Sequence, residues 1–244
     1  FNEWWVYKHV AQHFFDAAAA NAGISAAELV SGFENGTAKV SDYPELYNNF
    51  FDFIDLAVKY GDDKPLETAL DGEESAFGTG KAAMVLGQGA WIEADVLSID
   101  PDIQIGFNGY PVTEDASQCQ VISGSDQSLH VNKDSAVLQQ TLDFMNWCVT
   151  SEEGTKMMCG ADGMGFVIPF KNNLESENPL VNIANDYMEK GYTPVDWTFS
   201  TMPSEQWKND LGSALTTYAA DQTDANWKLV QNAFVDGWAK EAAA

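Results

Sequence analysis

Arginine is missing from this chain: all 12 basic residues are lysine, against 37 aspartates and glutamates, for a net charge of -25. Arginine's planar fork is the usual bidentate grip on phosphate or carboxylate. Without it, and with a strongly negative field, the chain is a poor match for nucleic acid or an anionic ligand. Neutral or cationic partners remain, and the same charge serves equally well for solubility alone. Cysteine is scarce: Cys119, Cys148 and Cys159 are too few and too irregularly spaced for a disulfide framework or a zinc site. Cys148 and Cys159 read as buried free thiols on helices, though a bridge between them stays open. Long apolar runs are absent too. The nearest, Ala82–Ile92, falls short of the roughly 18 residues of a membrane span. The chain opens at Phe1 inside a helical pattern and has no signal peptide, which reads as a processed or truncated piece of a longer protein.

What is present is mostly helical. Trp4, Tyr7, Ala11, Phe14 and Ala18 share one face at period 3.6, as do Leu46, Phe50, Phe53, Ile54 and Ala57 in a helix stopping at Gly61. Ile103–Val112 alternates between prolines and reads as a strand, with another short one at Ser128–Asn132. Asp134 is placed to cap a helix turning Leu138, Leu142, Met145 and Val149 inward. Thr150 to Glu153 has capping-box spacing and opens a short helix ending near Gly160. Pro203-Ser204 opens a helix with the stripe Trp207, Leu211, Leu215 and Tyr218, and the last helix buries Trp227, Val230, Phe234 and Trp238. Asp162–Phe170 and Tyr192–Met202 have no period and read as loops.

Several stretches imitate catalytic motifs and fail on spacing. Gly78–Glu93, GTGKAAMVLGQGAWIE, has Ser75 where a P-loop needs its first glycine, and Ala82 where it needs Ser or Thr. A dinucleotide fingerprint would need glycine at Ile92. His9 and His13 have metal-ligand spacing, but a zincin needs glutamate where Val10 stands, so a polar helix face is the better reading. No G-x-S-x-G elbow occurs. With 37 acids, a carboxylate pair at glycosidase distance is expected by chance, and Glu73-Glu74 reads as helix-terminal charge.

Tryptophan discriminates better. Of eight, Trp4, Trp207, Trp227 and Trp238 sit on apolar stripes, and Trp147 shares a broad apolar helix with Phe144. Trp5, Trp91 and Trp197 fall on a polar helix face or in irregular segments, where a flat ring can stack on a sugar or simply pack a satellite cluster.

Ordered landmarks then carry a resemblance. Ala76-Phe-Gly-Thr-Gly-Lys-Ala-Ala-Met84 is similar to an "F-x-x-G-K-A-A-M" pattern, and Gly89-Ala-Trp91 to "G-x-W". Ile105-Gly106 with Pro111 is similar to "I-G-x-x-P-x-P". Leu129–Asp134, Leu142–Glu153 and Gly165–Pro169 follow in order, and Trp197 to Trp238 resembles a carboxy-terminal helical region. Together they resemble the extracellular sugar-binding proteins of ABC importers, the maltose-binding-protein-like solute-binding family.

The resemblance implies an α/β, periplasmic-binding-protein-like (type II) two-lobe fold, helix-rich, with the first lobe incomplete. Residues 1–111 and 171–244 would form the second lobe, and 112–170 the returning part of the first. Met84–Leu86 would be a buried strand, and the Gly87–Gly89 turn would deliver Trp91 to a sugar ring. Trp5 and Trp197 would line the same cleft, Glu93 would accept from hydroxyls, and Ser123, Gly124 and Asp126 would face it from the other lobe. The implied protein is a monomer and not an enzyme, with no metal or organic cofactor. Its partners would be a neutral mono- or oligosaccharide and the importer's membrane permease, at a lipid-anchored cell-surface or periplasmic location. Three rivals stand beside it: a polyamine or other cation binder, which acids and aromatics suit equally; a glycoside hydrolase; and a structural lobe with no activity of its own.

Overall fold

Apolar side chains recurring every third or fourth residue give most segments one face that only helix packing can bury. A computed structural model of the chain describes residues 5–123, 129–159, 179–190, 195–196 and 202–244. α1 (Trp5–Ala22) and α2 (Ala26–Glu34) lead through a π-helical turn, Glu45–Asn49, into α3 (Phe50–Tyr60). α4 (Leu70–Gly78) and α5 (Glu93–Ile99) flank an irregular stretch, and α6 (Leu138–Thr150) and α7 (Glu152–Cys159) follow. α8 (Pro179–Glu189) precedes the closing pair, α9 (Glu205–Ala220) and α10 (Asp224–Ala242).

The core joins the early and late helices. Phe14, Phe15, Leu29, Leu46, Phe50 and Ile54 are fully buried against Trp207, Leu211, Leu215, Phe234 and Trp238. α9 and α10 run antiparallel: Trp207 and Trp238 meet at one end, ring centroids 4.9 Å apart, and Tyr218 and Trp227 at the other. Side-chain caps start these helices where the sequence supplies hydroxyls. The Ser204 hydroxyl accepts from the Trp207 N–H at 3.0 Å, and Thr223 does the same for Asn226 at 3.3 Å. At α2 the box is reciprocal: Ser25 Oγ accepts from the Glu28 N–H, and Glu28 Oε2 from the Ser25 N–H. Ser25→Ala is expected to lower stability by about 1 kcal/mol, read as a shifted urea midpoint at unchanged slope.

The α/β expectation is overturned. Among the described residues the strand content is one parallel bridge, β1 (Ile122–Ser123) on β2 (Val195–Asp196), with Ile122 opposite Val195. The architecture is helical, and no two-lobe α/β sheet is present among these residues. Ile103–Val112 runs extended with no ladder. Its close approach at Gly109 is to the backbone of Cys119 and Gln120, where a Cβ would overlap. The Val112 carbonyl is satisfied by the Asn49 side-chain amide at 2.9 Å. Residues 129–132 are likewise not a strand, and Met84–Leu86 is irregular, with Met84 78% exposed. Alternation favours a strand only where a neighbouring strand takes up the N–H and C=O groups.

Two helix starts also differ. Val137, not Asp134, precedes α6, because Asn132 Oδ1 accepts from the Asp134 N–H and holds residues 132–135 in a turn. The Ser151 hydroxyl receives the Gly154 N–H at 2.9 Å and so caps α7, while Thr150 bonds back to the Asn146 carbonyl inside α6. The α6 stripe is not buried: no α6 residue is buried, Leu142 and Val149 are exposed, and Phe144 (58% exposed) stacks on Trp147 at 5.9 Å. Cys119 and Cys148 are free, half-buried thiols.

Candidate functional site

The segment after α4 has to turn sharply and then present a helix start. Gly80 and Gly87 carry it through positive φ (71° and 74°), a region where a side chain is strained. At Gly87 the backbone N–H donates to the Tyr110 hydroxyl. Tyr110 is itself held by edge contacts with His13 (4.7 Å) and Phe53 (5.6 Å). Burial pushes that hydroxyl up to about 12; the Gly87 N–H pulls it back, and the nearby Glu73 carboxylate adds to the rise. It therefore stays a neutral hydroxyl that fixes the loop.

The next residues carry the side chains of interest. Trp91 is 56% exposed. Its Nε1–H donates to Gln88 Oε1 at 3.2 Å, and Gln88 Nε2–H donates in turn to Glu73 Oε2 at 3.3 Å. The indole also lies over Gly89, where a Cβ would overlap the ring. One residue with no side chain, one hydrogen bond and one relay to a carboxylate thus fix an exposed aromatic face.

Glu73 also lines a cleft of about 550 Å³ between the end of α3, α4 and residues 81–86. Ala57, Ala76, Ala82, Val85 and Leu86 line it with hydrocarbon. Tyr60 (73% exposed), Asp62, Asp63, Thr68 and Lys81 add polar groups to the lining. Acids outnumber the one lysine among these charged groups, so the cleft favours neutral or cationic solutes over anions.

The structure keeps only part of the sequence-derived set together. Trp91 is outward and accessible. Glu93 is not beside it: Glu93 opens α5, shares a face with buried Val96, and follows buried Ile92. It accepts from the Leu180 N–H at 3.4 Å, and burial raises its carboxyl while that N–H opposes the rise. It ties α5 to α8 rather than offering an oxygen beside the indole. Trp5 opens α1 and Ser123 belongs to β1, but their side chains, and Trp197, Gly124 and Asp126 entirely, lie outside the described residues.

Sequence reasoning missed Gln88, Tyr110 and the cleft, and read Glu73 as end-of-helix charge. Glu73 does lie in the first turn of α4, yet its carboxylate also takes the Gln88 bond. No local signal links Tyr110 to Gly87, 23 residues away. The His9–His13 pair is not a polar face either: His13 is buried beneath Tyr110. No metal-binding group of three or more His, Cys, Asp or Glu occurs among the described residues. Comparison with family models, curated proteins and solved structures gives no match.

Proposed function

We propose that this chain captures a neutral saccharide by stacking it on Trp91, with Gln88 and Glu73 as hydrogen-bonding partners, and does not transform it. The observation that carries this reading is the exposed indole tied through Gln88 to a carboxylate. A flat ring beside acceptor oxygens matches the two faces of a pyranose, its C–H face and its hydroxyl rim. The absence of arginine and the acidic field fit a neutral ligand. A permease partner, a monomeric state and a cell-surface lipid-anchored or periplasmic location are proposed on the sequence resemblance alone. They are checked by co-purification with membrane components, sedimentation and cell fractionation. No described helix is long and apolar enough to cross a membrane.

Calorimetric titration with a panel of neutral mono- and oligosaccharides tests the site. Trp91→Ala is expected to weaken binding at least tenfold, the scale of a lost aromatic anchor. Gly89→Ala keeps the indole but displaces it, and is expected to weaken binding by a smaller factor. Saturable binding unchanged in Trp91→Ala would sink the reading. Release of reducing sugar on long incubation would instead point to a hydrolase, and tighter, salt-sensitive binding of a diamine to a cation binder.

A further inference from the structure

We infer that acid releases the Trp91 loop, through protonation of His13 and a chain of contacts running by way of Tyr110 to Gly87. The release stands on the geometry of that chain; that it frees a bound sugar rests on the saccharide reading of Trp91. Each link is a direct contact. The His13 ring, buried on α1, meets the Tyr110 ring in an edge contact at 4.7 Å. The Tyr110 hydroxyl accepts from the Gly87 N–H, where the chain turns at φ 74°. Gln88 comes next, and its Oε1 takes the Trp91 Nε1–H at 3.2 Å. His13 also bonds to the Gln120 backbone, and Gly109, beside Tyr110, lies against that same backbone. One ring therefore holds both ends of residues 109–120. Lifting the Tyr110 end breaks few backbone bonds, because residues 103–112 run extended with no ladder.

Protonation works against this clamp. Both ring nitrogens of an imidazolium are donors, and Nδ1 has no hydrogen-bond partner among the described residues. Lifted into water, the ring takes its proton at the ordinary 6.5, against about 4 in place. The closed form is thus favoured above pH 6.5 and loses ground as pH falls, the open-to-closed ratio rising on the order of 100-fold by pH 4. Among the described residues no ionised group acts on His13; burial and the Gln120 backbone set its shift. Around it, the π-helical turn brings Glu45, which takes the Asn21 amide at 2.6 Å, and α9 brings Lys208, paired with Glu205. α3 presents Phe53 to Tyr110, and α2 meets α1 at Phe15 instead. β2 brings Asp196, whose side chain lies outside the described residues. On α1 itself His9 and Asp16 stand one turn to either side, and Glu73 acts on Tyr110 from beyond it.

The test labels the full chain with 5-fluorotryptophan, assigns the Trp91 resonance with Trp91→Phe, and follows it by 19F NMR from pH 7 to pH 4. Expected is a step in that resonance with the midpoint of the His13 imidazole signal, while far-UV circular dichroism stays constant. His13→Gln is expected to remove the step. Tyr110→Phe keeps the ring contact but takes the acceptor from the Gly87 N–H. It removes the Trp91 step while His13 still titrates, and carries the test should His13→Gln fail to fold. Glu73→Gln is expected to keep the step. A step that survives His13→Gln or Tyr110→Phe, or is lost in Glu73→Gln, overturns the inference. So does a step accompanied by loss of helical ellipticity, which is global unfolding. The neutral saccharide panel at pH 7 separates the two readings. A step without saccharide binding leaves this inference standing and overturns the saccharide reading; binding without a step does the reverse.

Discussion

Replacing Phe234 by alanine is expected to cost about 3–5 kcal/mol of folding stability, the range for a large aromatic removed from a packed core. Phe234 is fully buried where the two halves of the core meet. Its ring is 5.1 Å from Phe50, 5.6 Å from Phe51 and 5.7 Å from Trp207, centroid to centroid, and 6.4 Å from Phe15. Truncation therefore removes contacts to α1, α3 and α9 together. Rings this tightly shared cannot collapse inward without disturbing one another, which keeps the cost high. Phe144→Ala is the matched control. Phe144 is the same residue type on a helix but exposed, and its loss is expected to change stability by no more than about 0.5 kcal/mol. Urea unfolding of both variants is the measurement. Similar losses would mean that α6 is packed more tightly than its exposure shows, or that the α1–α3–α9–α10 core is not the stabilising unit.

Acid is expected to remove about 3 kcal/mol of stability through His13 alone. The ring is 6% exposed, and burial lowers its pKa from 6.5 to about 4, with a hydrogen bond to the Gln120 backbone opposing the shift. Among the described residues Nδ1 has no hydrogen-bond partner, so a second proton would arrive unsupported. The folded value lies below the unfolded one, so the unfolded chain takes up the proton first. The neutral ring's contribution is complete above about pH 6.5, falls as pH drops toward 4, and is gone below that. Relief of repulsion among 37 carboxylates acts in the opposite direction as they protonate. Comparing the wild type with His13→Gln across pH 7 to 4 cancels that shared effect. The difference in unfolding free energy should narrow or reverse by about 3 kcal/mol over the interval. A difference independent of pH would show that His13 is as accessible to protons folded as unfolded. The imidazole NMR shifts of the wild type report the same titration without any variant.

The His13 and Phe144 cases show what a sequence pattern does and does not carry. Helix existence was legible for α1, α3, α9 and α10, and so were their inward faces: Ala11, Phe14, Phe50, Ile54, Trp207, Leu215, Phe234 and Trp238 are buried as their period requires. Phe144 and Trp147 lie on an equally apolar helix, yet periodicity cannot say whether another element covers it, and both stay exposed. Ile103–Val112 alternates like a strand, but pairing is a property of two segments, and no second segment among the described residues supplies the ladder. The candidate site divides the same way. Trp91 stood out because it follows two glycines and fits no stripe. The resemblance pairs Glu93, two residues on, with it as a hydroxyl partner, but the start of α5 turns Glu93 inward to Leu180. His13 reads as part of a polar face because nothing within α1 shows that Tyr110 covers it.

By itself, then, the sequence determined the net charge, the lack of a guanidinium grip on anions, the helical stripes of the core and the isolation of Trp91. Each of these is a property of composition or of one segment's period, and needs no knowledge of neighbours. The tertiary structure alone decided that the described residues form helices without an α/β sheet, that Glu93 and His13 are interior, and that Gln88, Glu73 and Tyr110 build the surroundings of Trp91. Burial, strand pairing and hydrogen-bonded relays join residues distant in the chain, through packing that no single segment encodes.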